Sequence, residues 1–227
     1  MKYALGFTWI ILSFVFLNLL TNIISKYVFE NNQYFMPLYF GFISYLISLI
    51  IVSHRKYQLV NTFFHEISHL IFAILIFAKP KKFIVTSKNK GAAGYITYTT
   101  FKFLDPLHNH LVALAPYFFM PTTFFFAFTL YLYQPIDWLE SLSASTENIK
   151  ILLYLVGFSY AYHSTISIVQ ARPAQSDFDK VGFLYGIIFS FFMHLVLLTI
   201  IIVLLCSRFG VSKYIFAFVQ TVKLTIA

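Results

Sequence analysis

Charge is what this sequence has least of. Only 11% of its 227 residues are Asp, Glu, Lys or Arg, against about 25% in soluble domains. Such a chain lacks the polar surface to face water on every side, and its 59% hydrophobic and 21% aromatic content points to a multi-pass membrane protein in a lipid bilayer. Cysteine is almost absent. A lone Cys206 excludes an internal disulfide and a cysteine-built zinc site, so any metal falls to histidine and carboxylate. No internal repeat, low-complexity tract or flexible linker is visible, and residues 1–227 read as one domain.

Basic residues outnumber acids sixteen to eight, which raises nucleic acid as a partner. They lie in short gaps between apolar runs, as topology signals do, so no nucleic-acid partner is expected. The gap between the third and fourth runs holds six lysines against one acid, Asp105, whereas the next carries Asp137, Glu140 and Glu147. That contrast places the lysine-rich gap on the cytoplasmic side. The run after Met1-Lys2 is too long for a signal-peptide core and no A-x-A site follows it, so it reads as a retained first helix.

Six stretches approach the ~20 residues needed to cross a bilayer: 4–24, 34–52, 59–78, 111–133, 149–168 and 181–206. The expected fold is an all-α membrane protein of about six transmembrane helices, with the apolar tail 212–227 lying in the interface. Between the third and fourth runs, Lys79-Pro80-Lys81-Lys82 is expected to end the third helix. Phe83–Thr86, a polar turn from Ser87 to Gly91, and Gly94–Phe101 then read as a short membrane-associated β-hairpin. Pro116 and Pro121 bracket a kink in the fourth run.

The chemistry sits in the third run, at His65-Glu66-Ile67-Ser68-His69. On a helix, positions i and i+4 share a face, so both imidazoles can meet one ion. Glu66 lies about 100° further round the axis, suited to a base that is not itself a ligand. It is also the one acid well inside an apolar run, where a carboxylate costs a few kcal/mol unless compensated. A bound Zn²⁺ compensates it; the plain alternative is hydrogen bonding between helices. Catalytic zinc usually has three protein ligands. The third is sought among Asp177, Asp179, His163, His108, His110 and His194. Asp177 leads, because a carboxylate entering the last long helix can dip to the metal and offset its charge. Asp179 is the alternative, and whichever is not a ligand would sit favourably in the first turn of that helix.

In these features the chain resembles the intramembrane zinc metalloproteases of the site-2 protease class, and among them the small prokaryotic branch. His65-Glu66-Ile67-Ser68-His69, the Phe83–Phe101 hairpin, Leu114-Ala115-Pro116 and Ser176-Asp177 follow that family's order, although its common L-D-G form is absent. The resemblance implies an endopeptidase of a prokaryotic cell membrane with one zinc per chain, acting on transmembrane or membrane-associated protein substrates. Glu66 would be the base and His65, His69 and Asp177 the ligands. A helical substrate must be locally unwound, and Gly94, Tyr95, Ile96 and Thr97 are placed to receive it by edge addition; otherwise the hairpin is structural. A metal-ion transporter using the same histidines and a catalytically inactive relative are the rival readings. If all six runs cross fully, the third and sixth begin on opposite faces. The expectation is therefore that the fourth or fifth is re-entrant, or that Arg172–Asp179 dips inward.

Overall fold

The computed structural model describes residues 2–51, 58–88, 91–99, 105–133, 146–173 and 175–206. Helix α1 (Lys2–Ile23) passes into a π-helical segment (Ile24–Phe29), followed by α2 (Asn32–Ile51) and α3 (Gln58–Leu75). The strands β1 (Lys79–Lys88) and β2 (Gly91–Thr99) come next, then α4 (Asp105–Phe118), α5 (Pro121–Tyr133), α6 (Thr146–Gln170), α7 (Ser176–Val181) and α8 (Phe183–Cys206). The protein is thus mostly helical with one two-stranded antiparallel sheet.

Three stretches, Gly6–Phe29, Glu147–Gln170 and Phe183–Cys206, are long and apolar enough to cross a membrane. A fourth is reached if the bent pair α4–α5 counts as one span. The reason α3 falls short is visible in its burial pattern. Its buried residues are Asn61, Glu66, Ser68, His69 and Ala73, while Leu59, Val60, Phe63, Ile74 and Leu75 are exposed. Polar side chains point inward and apolar ones outward, the reverse of a surface helix in water. The same apolar exterior continues over Phe14, Ile50, Ile51, Phe125 and Leu184, which suits lipid as the surrounding solvent.

Helix α2 packs along α6, α1 along α8, and α5 against both α6 and α8. Ile23, Phe35, Leu130, Leu153 and Val156 form one buried cluster across these elements. The α2–α6 crossing depends on two glycines. A Cβ on Gly41 would fall on the carbonyl oxygen of Tyr154, and one on Gly157 would fall on that of Leu38. Each backbone occupies the space that the other's side chain would need.

Helix α3 packs instead against α4 and both strands. It ends earlier than its proline suggests. The Phe77 amide donates to the Ile74 carbonyl at 3.0 Å and the Ala78 amide to the Ala73 carbonyl at 2.8 Å, with Phe77 at φ 61°. This is a Schellman termination with phenylalanine where glycine is usual. Pro80 consequently sits in β1, beyond the helix, on a strand with a free edge where a missing N–H is tolerated. The strands are longer than expected and pair from Lys79↔Thr99 to Lys88↔Gly91, with a bulge between Pro80 and Lys82. Residues 89–90, 100–101, 134–145 and the expected interfacial tail 212–227 lie outside the described residues.

Between Phe118 and Pro121 the chain turns by 72°. Proline disfavours helical geometry in the residue before it, so the break falls at Phe119-Met120. The Phe119 amide still makes its helical bond to the Ala115 carbonyl at 2.8 Å, while the Pro116 carbonyl accepts from the Ser167 hydroxyl at 3.1 Å. After α6, the short helix α7 turns inward before Gly182 (φ 94°) starts α8. Phe178 and Val181 are fully buried there, against Leu114, Phe118 and Phe189. Both a bent fourth run and an inward segment before the last helix are therefore present.

Candidate metal centre

Helix α3 contributes His65 and His69 one turn apart, and α7 brings Asp177 against them. His65 Nε2 lies 3.2 Å from Asp177 Oδ2, His69 Nε2 3.3 Å from His65 Nε2, and His69 Nε2 3.6 Å from Asp177 Oδ2. These three residues form a group that could hold a metal ion. A tetrahedral ion with bonds of 2.0–2.1 Å has ligand atoms about 3.3 Å apart, close to each edge of this triangle.

Hydrogen bonds on the far side of each ring set which nitrogen faces inward. His69 Nδ1 is 2.6 Å from the Val112 carbonyl oxygen, which can only accept, so Nδ1 carries the proton and Nε2 presents a lone pair. His65 Nδ1 is 3.0 Å from Gln170 Oε1; with the amide oxygen in that place Nδ1 carries the proton and Nε2 is bare. Two imidazole lone pairs and a carboxylate oxygen therefore converge. That arrangement is repulsive until a cation, either a proton or a metal ion, lies among them.

The Tyr117 hydroxyl donates to Asp177 Oδ2 at 3.2 Å, a support of the kind that orients carboxylate ligands. Its ring packs edge-on to His65, with centroids 5.8 Å apart. Tyr117, Gln170 and the Val112 carbonyl were not singled out by residue pattern, because nothing in their types marks them until the chain folds. Val112 alone left a signal: it stands four residues before Pro116.

Glu66 is 7% exposed and lines the same cavity of about 320 Å³ as His65, His69 and Asp177. Strand β2 passes directly over it. A Cβ on Gly94 would overlap Glu66 Cγ and stand 3.0 Å from its Oε1, so only glycine lets the strand approach this closely. Gly94, Tyr95 and Ile96 line the cavity; Thr97, on the exposed face of the strand, does not. Gln175, Ser176 and Lys180 complete its polar rim.

The remaining candidates lie elsewhere. Asp179 is exposed on α7 and outside the cluster. His163 is hydrogen-bonded to the Ser167 hydroxyl at 3.1 Å, and His194 is 3.4 Å from the Tyr160 hydroxyl. His110 packs edge-on to Tyr185, and the side chain of His108 lies outside the described ones. Comparison of the chain with protein-family models, curated proteins and solved structures returns no match.

Proposed function

We propose that this chain is a multi-pass membrane metallo-endopeptidase that hydrolyses peptide bonds of transmembrane or membrane-associated proteins. The observation that carries the reading is the convergence of three ligand atoms 3.2–3.6 Å apart with an uncoordinated carboxylate, Glu66, in the same cavity. The order of motifs shared with the site-2 protease class supports it, as does the apolar exterior of the motif helix. At 1.5 Å per residue, the 20 residues of α2 and the 18 of α3 nearly match the ~30 Å hydrocarbon core. Six crossings in a prokaryotic cell membrane are therefore included in the proposal.

His65, His69 and Asp177 would hold the ion, for which zinc suits the nitrogen and oxygen donor set. When bound, it supplies Lewis acidity that polarises the scissile carbonyl and acidifies water. Glu66 takes a proton from the attacking water as its oxygen bonds to the carbonyl carbon. It then delivers that proton to the amide nitrogen as the C–N bond breaks. Gly94-Tyr95-Ile96 lies along the cavity with Glu66 beneath, where an unwound substrate strand could replace its lost helical bonds by pairing with β2.

The test is Glu66→Gln in the full chain, reconstituted with a labelled single-span substrate peptide. Zinc content should stay at the wild-type level while cleavage falls by about 10²–10⁴-fold. Cleavage that survives Glu66→Gln overturns the reading. Zinc flux into proteoliposomes that persists in Glu66→Gln and is lost in His65→Ala would establish a transporter instead. A wild type that binds the peptide and zinc without cleaving would be an inactive relative.

A further inference from the structure

Pro116 stands inside α4, at a place where a helix ordinarily loses a hydrogen bond. The bond lost is specific: a residue with an N–H at 116 would donate to the carbonyl four residues earlier, that of Val112. Val112 is 1% exposed, so water does not satisfy that oxygen, and a buried unpaired carbonyl is costly. Its partner is His69, whose Nδ1 lies 2.6 Å away. A freed carbonyl and a ligand imidazole thus complete each other.

We propose that Pro116 is a positioning residue for the metal centre, keeping the Val112 carbonyl vacant so that it fixes His69 in the Nδ1–H tautomer with Nε2 directed at His65 and Asp177. The proposal rests on the metal reading of the site for its effect on affinity, but not for its effect on the histidine. Helix α4 carries both halves of the device: Pro116 creates the acceptor, and Val112 and Ala113 line the cavity wall beside His69. The neighbouring carbonyl, that of Pro116 itself, is accounted for by the Ser167 hydroxyl at 3.1 Å. It therefore does not compete for the histidine.

The experiment compares wild type, Pro116→Ala and a chain with lactic acid at position 116, whose backbone ester has neither the ring nor an N–H. Two readouts are taken on full-length protein in detergent: Zn²⁺ affinity by chelator competition, and the His69 tautomer by ¹⁵N NMR of the metal-free protein. Alanine should lower affinity by roughly 10–100-fold, as loss of a histidine's supporting hydrogen bond does. It should also move His69 towards a tautomer mixture. The ester should restore both to wild type. Equal affinity and tautomer in all three overturns the proposal, as does an ester that behaves like alanine, since the ring would then be what matters. Should Pro116→Ala fail to fold, the ester alone decides: wild-type values support the missing N–H, and a loss overturns it. A wild type that binds no Zn²⁺ sinks the metal reading alone, and the tautomer comparison still judges Pro116.

Discussion

The α2–α6 crossing and the junction of α3, α4 and α7 solve opposite problems. In the first, Gly41 and Gly157 let two backbones meet, and what holds them is close packing between apolar helices. In the second, two histidines, two carboxylates and a tyrosine are gathered where each needs a partner. Lipid gives helices no hydrophobic reason to associate, so adhesion must come from shape. It also gives polar groups no water, so chemistry must come with its own hydrogen bonds. With the two apart, the scaffold is expected to stand without a metal, and the site to be alterable without loss of the scaffold.

The largest effect should come from breaking the crossing. Alanine at Gly157 gains about 1 kcal/mol in helix propensity, but its methyl falls on a backbone carbonyl that cannot swing away. Overpacking costs 1–3 kcal/mol or more, so Gly157→Ala should unfold or disperse the protein, seen as lost yield and a lowered Tm in detergent. The ligand changes come next. His69→Ala and Asp177→Ala should each weaken Zn²⁺ binding by more than about 100-fold, while helical content by circular dichroism stays at the wild-type level. If these variants unfold as Gly157→Ala does, the separation of scaffold from site is wrong.

A smaller effect belongs to Tyr117→Phe, which removes one hydrogen bond to Asp177 Oδ2. Zinc affinity should fall about tenfold, at the low end for a supporting residue, as read by competition with a chelator. Asp179→Asn should change affinity and Tm least, within about 0.5 kcal/mol, because this exposed carboxylate touches neither region. A loss of zinc in Asp179→Asn comparable to that in Asp177→Ala would reassign the third ligand.

How much of this was legible differs by kind of residue. His65, Glu66 and His69 are readable because one helix carries all three, and helical spacing is local. The hairpin and the break before Pro121 are likewise local, set by β-branched runs and by proline's effect on its neighbours. Asp177 was reachable through charge, since a buried cation needs a carboxylate. Gln170 and Tyr117 were not reachable, because their roles arise only when α6 and α4 meet α3 and α7 in space. The end of α3 was misassigned to Pro80, since a Schellman turn centred on Phe77 lacks the glycine that usually announces one. The length of the spans was blurred for a related reason: a helix that turns polar residues inward dilutes its own apolar signal.

A two-stranded ribbon has little of its own to stop it sliding along its partner. Here it is a glycine of β2, Gly94, that meets Glu66, and the bulge after Pro80 sets its place in the register. Sliding the ribbon by a single position would bring Ala93 or Tyr95 onto the carboxylate, and neither fits. The pair therefore works as a key and its slot: a one-residue slip does not seat over the cavity, and Glu66 is the gauge against which the register is checked.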